Sequence, residues 1–313
     1  MKTKTFLTAF VSSFILQQSA FGQGALTPPG APVATMKSLD QIYAKLDARI
    51  PITNSASLVT ISQPGSYYLT TNVTVSSGNA ITIAAGNVTL DLNGFTIAST
   101  AASAAGYAIL MGSVTNVSIY NGNISSGVTN SAAGVFGGGG FGYGIYNSGF
   151  SYNVRVKSVS VAGALTYGIY LGQGNSTVVE ACSVNVASTY GIYADSVSDS
   201  TAVNCGNCGV FAHAAHNCTG YGVGSGTGLY ANTANNCFGY SAGSGAGLNA
   251  SIANNCYGYS SGNGYGLYAG SVATGCYGYS LNGTGLSAFL ASVCHGESIS
   301  GTALITSHNV NSF

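Results

Sequence analysis

Asn217-Cys218-Thr219-Gly220-Tyr221, Asn236-Cys237-Phe238-Gly239-Tyr240, Asn255-Cys256-Tyr257-Gly258-Tyr259 and Gly275-Cys276-Tyr277-Gly278-Tyr279 are four copies of one motif. Cys294-His295-Gly296-Glu297 is a decayed fifth copy. From Cys218 the cysteines advance by 19, 19, 20 and 18 residues. A second motif, Gly followed by apolar residues, starts at Gly144, Gly168, Gly191, Gly209, Gly228, Gly247, Gly266 and Gly285. Its later steps are also 19 residues. A period of about 20 residues marks a solenoid, in which each repeat is one structural unit stacked on the next.

The repeats are β rather than helical. Each holds several Gly and many aromatic or β-branched residues, and none keeps a 3.6-residue period for three turns. Val88-Thr89-Leu90-Asp91-Leu92, Val117-Ser118-Ile119 and Val154-Arg155-Val156 alternate apolar and polar residues, which gives each strand an inner and an outer face. The expected fold class is all-β, a parallel β-helix of about eleven coils spaced about 4.8 Å apart.

Stacking turns a repeated position into a column. The alignment gives a structural ladder of Cys182, Cys205, Cys218, Cys237, Cys256, Cys276 and Cys294, with Val159 one coil earlier. Asn204, Asn217, Asn236 and Asn255 form a second ladder, expected to hydrogen-bond amide to amide along the axis. Tyr221, Tyr240, Tyr259 and Tyr279 form a third. Stacked cysteines suit either buried thiols, which pack as small apolar groups, or coil-to-coil disulfides.

The front of the chain reads differently. Residues 1–22 carry Lys2 and Lys4, an apolar run from Phe6 to Leu16, and Ala20-Phe21-Gly22, the pattern of a cleaved secretory signal. The run is too short to span a bilayer. Residues 23–35 are a Pro-rich linker. Residues 36–57 are a capping helix and lead-in, with Ser38 and Gln41 as a capping box and Leu39, Ile42, Tyr43 and Leu46 on one face. That helix is expected to plug the first coil against edge pairing. The solenoid domain is placed at 58–313.

Composition narrows the functions. The 313 residues include 46 Gly, 21 Tyr and no Trp, but seven Lys or Arg and seven Asp or Glu. High apolar content with low charge excludes a disordered chain. No basic residue follows Lys157, so there is no footprint for nucleic acid or an anionic membrane. The outer surface must be Ser, Thr, Asn, Gly and Tyr, which suits a neutral polysaccharide or cell-surface glycan.

One concentration of charge stands out. The alignment places Asp91, Tyr120, Lys157 and Glu180 in one outward column, with Arg155 beside Lys157. As a catalytic site, Lys157 or Arg155 would be base or clamp, Glu180 the acid, and Tyr120 a sugar platform. As structure, it is a surface salt bridge worth about 0–1 kcal/mol. The Gly-rich insertion from Ser125 to Tyr143 is expected to overhang this face. Cys205-x2-Cys208 with His213, His216 and Cys218 has metal-like spacing, but the cysteine ladder already explains two of these sulfurs and the histidines read as loop. No metal is assigned. Asp195 and Asp199, in a Ser-rich stretch, read as a solvated loop, with weak calcium binding as the alternative.

The segment from Leu26 to Ile42, Gln63-Pro64-Gly65-Ser66-Tyr67-Tyr68-Leu69, and Val88 to Ile97 resemble the opening of secreted bacterial right-handed parallel β-helix repeat proteins, in the pectate-lyase-like superfamily. The resemblance implies the right hand and a secreted or cell-surface location. It leaves function open, because that superfamily holds polysaccharide lyases, glycosidases, and binding and adhesive proteins. The Asn-Thr-Asp, Asp-Asp, Gly-His-Gly and Arg-Ile-Lys strings of polygalacturonase-like enzymes are missing here. The first expectation is therefore a non-catalytic structural or carbohydrate-binding protein. The alternatives are a polysaccharide lyase or glycoside hydrolase, and an adhesin.

Overall fold

A computed structural model describes residues 37–39, 41–42, 48–53, 58–132 and 134–313. The chain divides into two units, Met1–Ala48 and Arg49–Phe313. In the first, Gln41 donates its backbone N–H to Ser38 Oγ at 3.1 Å, and Ser38 donates its own to Gln41 Oε1 at 3.0 Å. The capping box therefore forms. Leu39 and Ile42 are 84% and 45% exposed. The signal and linker segments, Tyr43 and Leu46 lie outside the described residues.

The second unit is an all-β parallel solenoid of about thirteen turns. The expected eleven fell short because coils shorten to 18 and 19 residues, as between Asp199 and Asn217 and between Asn235 and Asn254. The solenoid also begins ahead of Leu58, since Ile50–Ile52 already pairs with Gly65–Leu69.

Ladder pairing resolves into three faces. Face one runs Ile81, Ile109, Ile145, Ile169, Ile192, Val210, Leu229, Leu248, Leu267, Leu286 and Leu304, each in register with the next. Face two carries Leu90, Ile119, Val156, Val179, Val197, Ala215, Ala234, Ala253, Ala273 and Ala291. Face three carries Gly220, Gly239, Gly258, Gly278 and Gly296. Inward side chains are essentially inaccessible.

The interior narrows along the axis. Face two passes from Leu, Ile and Val to Ala, and face three reaches Gly. From the Gly-rich insertion onward the coils shorten in step: 37 residues from Asn116 to Asn153, which include the insertion, 23 from Lys157 to Glu180, then 18 or 19. A smaller loop encloses less volume, so smaller side chains fill it at normal packing density.

The corner between faces two and three explains the Asn repeat. One residue per coil takes the left-handed conformation there: Ser158, Ala181, Asp199, Asn217, Asn236, Asn255, Gly275, Val293 and Asn311, with φ between 50° and 61°. Asn, Asp and Gly tolerate this region and most residues do not. The next residue turns inward, which puts Val159, Cys182, Ser200, Cys218, Cys237, Cys256, Cys276, Cys294 and Ser312 in one column.

Two expected ladder members belong elsewhere. Cys205 pairs with Ala187 and Gly222 at the far end of face three. Asn204, with φ of 56°, donates its amide to Asn185 Oδ1 at 2.8 Å. Both corners of face three accept a left-handed Asn before a buried Cys, so the same dipeptide fits either one. Ser200 fills the place assigned to Cys205, and Asp199 the place assigned to Asn204. Amide bonds along the axis run through Asn116 to Asn87, Asn153 to Asn116 and Asn254 to Asn235, at 2.8–2.9 Å.

The insertion forms an antiparallel hairpin, Thr129–Ala132 with Val135–Gly137. Phe136 lies against Gly206, beside Ser188, Thr189 and Val223, at the corner between faces three and one. The hairpin therefore lies away from the Lys157 corner it was expected to overhang.

Candidate functional site

The charged column assembles in the register read from the sequence. Asp91 stands opposite Tyr120, Tyr120 opposite Lys157, and Lys157 opposite Glu180. Lys157 Nζ lies 2.7 Å from Glu180 Oε1, with side chains 56% and 38% exposed. Arg155 is exposed on the same strand. A shallow depression of about 340 Å³ runs beside the pair, lined by small groups such as Gly122, Ser158, Ser160, Ala181 and Ser183.

Asp91 is not available to a ligand. It is 7% exposed, and its oxygens accept from Arg49 Nη1 at 3.0 Å, the Asn93 backbone at 2.7 Å and Asn121 Nδ2 at 3.2 Å. Arg49 also lies over the Tyr68 ring, 4.4 Å from its centroid. This carboxylate ties the first coils together.

The metal-like cluster is dispersed. His213 and His216 lie in the strand Cys208–His216, not in a loop. His213 Nδ1 sits 3.0 Å from Asp195 Oδ1. Asp195 and Asp199 likewise belong to strand and corner rather than a loop extension. Burial raises the Asp195 carboxyl, but backbone N–H groups of Thr177, Gly174 and Asn175 outweigh it and hold the group below its ordinary value. These donors occupy the lone pairs that a calcium ion would need. Among the described residues, no group of three or more His, Cys, Asp or Glu is arranged to hold a metal ion.

The tyrosines form an array on face three. Tyr221, Tyr240, Tyr259 and Tyr279 stack with centroids 5.2, 5.1 and 5.1 Å apart. Phe238, Tyr257, Tyr277 and His295 make a second stack at 5.0–5.1 Å. Tyr240, Tyr259 and Tyr279, and Tyr257 with Tyr277, cover one another's faces at 11–17°, while the outer pairs are tilted by 40–46°. The inner rings therefore present edges and hydroxyls to solvent, not the open platforms expected of isolated tyrosines. Tyr277 donates to Glu297 at 2.6 Å, and this bond, with burial, pushes the phenol up to about 12.

A groove of about 440 Å³ runs along this array. Asn217, Asn236, Asn255 and Gly275 form one wall, Phe238, Tyr257 and Tyr277 the other, and Cys218, Cys237 and Cys256 the floor. No charged side chain lines it.

Face one carries a larger array that the sequence reading missed. Tyr146, Tyr170, Tyr193, Phe211 and Tyr230 stack at 4.6–5.3 Å. Tyr107, Tyr143, Tyr167 and Tyr190 stack beside them at 4.6–5.9 Å. Burial, and then neighbouring tyrosines, raise the phenols of Tyr146 and Tyr170. The signal was present: each of Tyr146, Tyr170, Tyr193, Phe211 and Tyr230 stands two residues after a Gly of the second motif.

No family model matches the chain. No curated protein matches it either. Among solved structures, it is similar to ORF18 of Geobacillus virus E2, at 10% identity and a TM-score of 0.32 over 82% of this chain. The chain spans about half the length of that structure, 51%.

Proposed function

We propose that this protein is a secreted, non-catalytic β-solenoid that binds a neutral polysaccharide lengthwise along face three. The observation that carries this reading is the uncharged groove beside the aromatic stacks, whose four coils present Asn217 with Thr219, Asn236 with Phe238, Asn255 with Tyr257, and Gly275 with Tyr277. A pyranose ring is about as long as one coil is high. An extended glycan lying along the axis would meet an amide at three successive coils and an aromatic edge at three. Neutral hydroxyls exchange water for amide and phenol partners without the cost of desolvating an ion. The covered ring faces assign recognition to hydroxyls and edges, with sugar stacking confined to the ends of each stack.

The charged column supports catalysis less well. Lys157 and Glu180 satisfy each other in solvent, whereas general acid–base work needs groups aimed at a bound substrate. The test is retention of the protein on a panel of immobilised neutral polysaccharides, with the eluate assayed for new reducing or unsaturated ends. Retention without new ends is expected, weakened by Tyr257→Ala with Tyr277→Ala, the two tyrosines that line the groove. New ends that vanish in Lys157→Ala would replace this reading with an enzyme. Absence of retention across the panel would remove it in favour of a structural or adhesive role.

A further inference from the structure

The floor of the groove is a continuous run of sulfur. Cys218, Cys237, Cys256, Cys276 and Cys294 occupy one position on consecutive coils. The backbone N–H groups of Cys237, Cys256 and Cys276 each point at the sulfur of the next cysteine, at 3.5 Å. Each thiol in turn donates to the backbone carbonyl two residues before it, at 3.2–3.3 Å. All five are free thiols, 1–3% exposed, and Cys218, Cys237 and Cys256 lie directly beneath the open groove. Serine bounds the run at both ends. Ser200 Oγ accepts from the Cys182 N–H at 3.1 Å, and Ser312 Oγ from the Cys294 N–H at 3.0 Å.

We infer that this column binds soft monovalent closed-shell cations, the class of Cu(I) and Ag(I), one between each pair of successive sulfurs. Thiolates select soft ions over the hard cations that carboxylates and carbonyls prefer. Neighbouring coils lie about 4.7–4.9 Å apart. Two metal–sulfur bonds of about 2.3 Å, the zinc–thiolate length, span nearly that distance when set in line. The column supplies one sulfur above an ion and one below. Among the described residues no third or fourth ligand converges there, so the tetrahedral thiolate geometry of zinc is not on offer. Closed-shell monovalent ions accept two ligands in line.

Charge favours the same class. Five thiols taking up four monovalent ions release five protons, which leaves one net negative charge over the whole column. Bare thiolates would leave five in an uncharged groove. The thiols resist ionising unaided. Cys237 and Cys256 are each pushed up to about 12, first by the hydrogen bond to the preceding cysteine and further by burial. Cys218, at the end of the run, is held below its ordinary value by its hydrogen bond with Cys237. Each ion displaces thiol protons, so loading weakens as pH falls.

The test titrates the full, reduced chain with silver nitrate in oxygen-free, chloride-free buffer. Bound metal is counted by native mass spectrometry, and sulfur-to-silver charge transfer is followed in the near ultraviolet. Serine is the substitution the column already tolerates at Ser200 and Ser312. Cys256→Ser splits the run into two pairs and is expected to lose two of four ions. Cys294→Ser shortens it from the end and is expected to lose one. Cys205→Ser, off the column, is expected to lose none from it. Equal losses in Cys256→Ser and Cys294→Ser, or no uptake beyond that of a chain with all five positions changed to Ser, would overturn the proposal. Coil-to-coil disulfides in the purified protein, seen as missing thiols before reduction, would also overturn it as the resting state.

Discussion

Gly239 stands so close to Gly247 that a β-carbon added at Gly239 would lie 2.1 Å from the Gly247 carbonyl oxygen. The same contact recurs one coil on, where Gly258 meets Gly266 at 2.1 Å. Here face three touches the start of face one, and backbone meets backbone. Gly239→Ala must therefore move the main chain, at a cost at or above the ~1–3 kcal/mol of core overpacking. Gly112→Ala, with nothing within 4 Å, is expected to be nearly neutral. Urea denaturation of the two variants beside the parent decides this, and equal midpoints would contradict the close approach.

Val293 is a β-branched residue at φ of 53°, at a corner where six of the other eight coils use Asn, Asp or Gly. It is 64% exposed, so its side chain contributes little packing. Val293→Asn is expected to stabilise the chain by about 1 kcal/mol, within the ~1–2 kcal/mol cost of left-handed backbone for L-residues. Thermal melting should show a raised midpoint. A lowered one would mean that the side chain matters more than the backbone.

Asp195 contributes stability above the unfolded carboxylate range of about 3.9, because its folded value is depressed. That contribution disappears as pH falls through the folded value. Asp195→Asn should therefore be less stable than the parent at pH 7, with the gap closing as pH drops below about 4. Unfolding curves at several pH values test the sign. A gap constant with pH would place the loss in hydrogen bonding rather than ionisation.

Burial raises the Cys182 thiol to about 11 and the Cys208 thiol to about 12. Native protein at pH 8 should react slowly with a thiol reagent such as 5,5′-dithiobis(2-nitrobenzoate), since the thiolate is the reactive form. After denaturation without reductant, eight thiols per chain are expected, matching the eight free cysteines. A count of six or fewer would show that disulfides form between coils.

Lys157→Ala should change stability by no more than ~1 kcal/mol, the range of an exposed ion pair. Glycan retention should be unaffected, because the pair lies at the corner column upstream of the groove. Loss of retention would move the binding face to the charged column.

Periodicity makes most of this legible in the sequence alone. A solenoid converts sequence spacing directly into neighbourhood, so Lys157 could be set opposite Glu180 and Tyr240 opposite Tyr259 by counting. The errors came where local chemistry is degenerate. Asn204-Cys205 looks like Asn217-Cys218, yet the two sit at opposite corners of face three. The steps from Cys182 to Ser200 to Cys218 carried the correct answer, hidden by the change of residue. Asp91 looked outward by alternation, but Arg49 and Asn121 close over it. The hairpin's resting place depends on Phe136 meeting Gly206, a long-range contact with no counterpart in the repeat.

The 19-residue coil from Asn236 to Asn254 touches its neighbours through the same positions that they use to touch each other. Its corner, inner column and aromatic edge are interchangeable with those of the next. In such an array each unit contributes its own stability plus two interfaces. Copying that coil once more should leave the others undisturbed and add one more Asn, Tyr and Cys to the rows they extend. The molecule's length is thus a free parameter, set by how many times a short stretch of gene has been duplicated, and its surface pattern can be lengthened without redesigning a single contact.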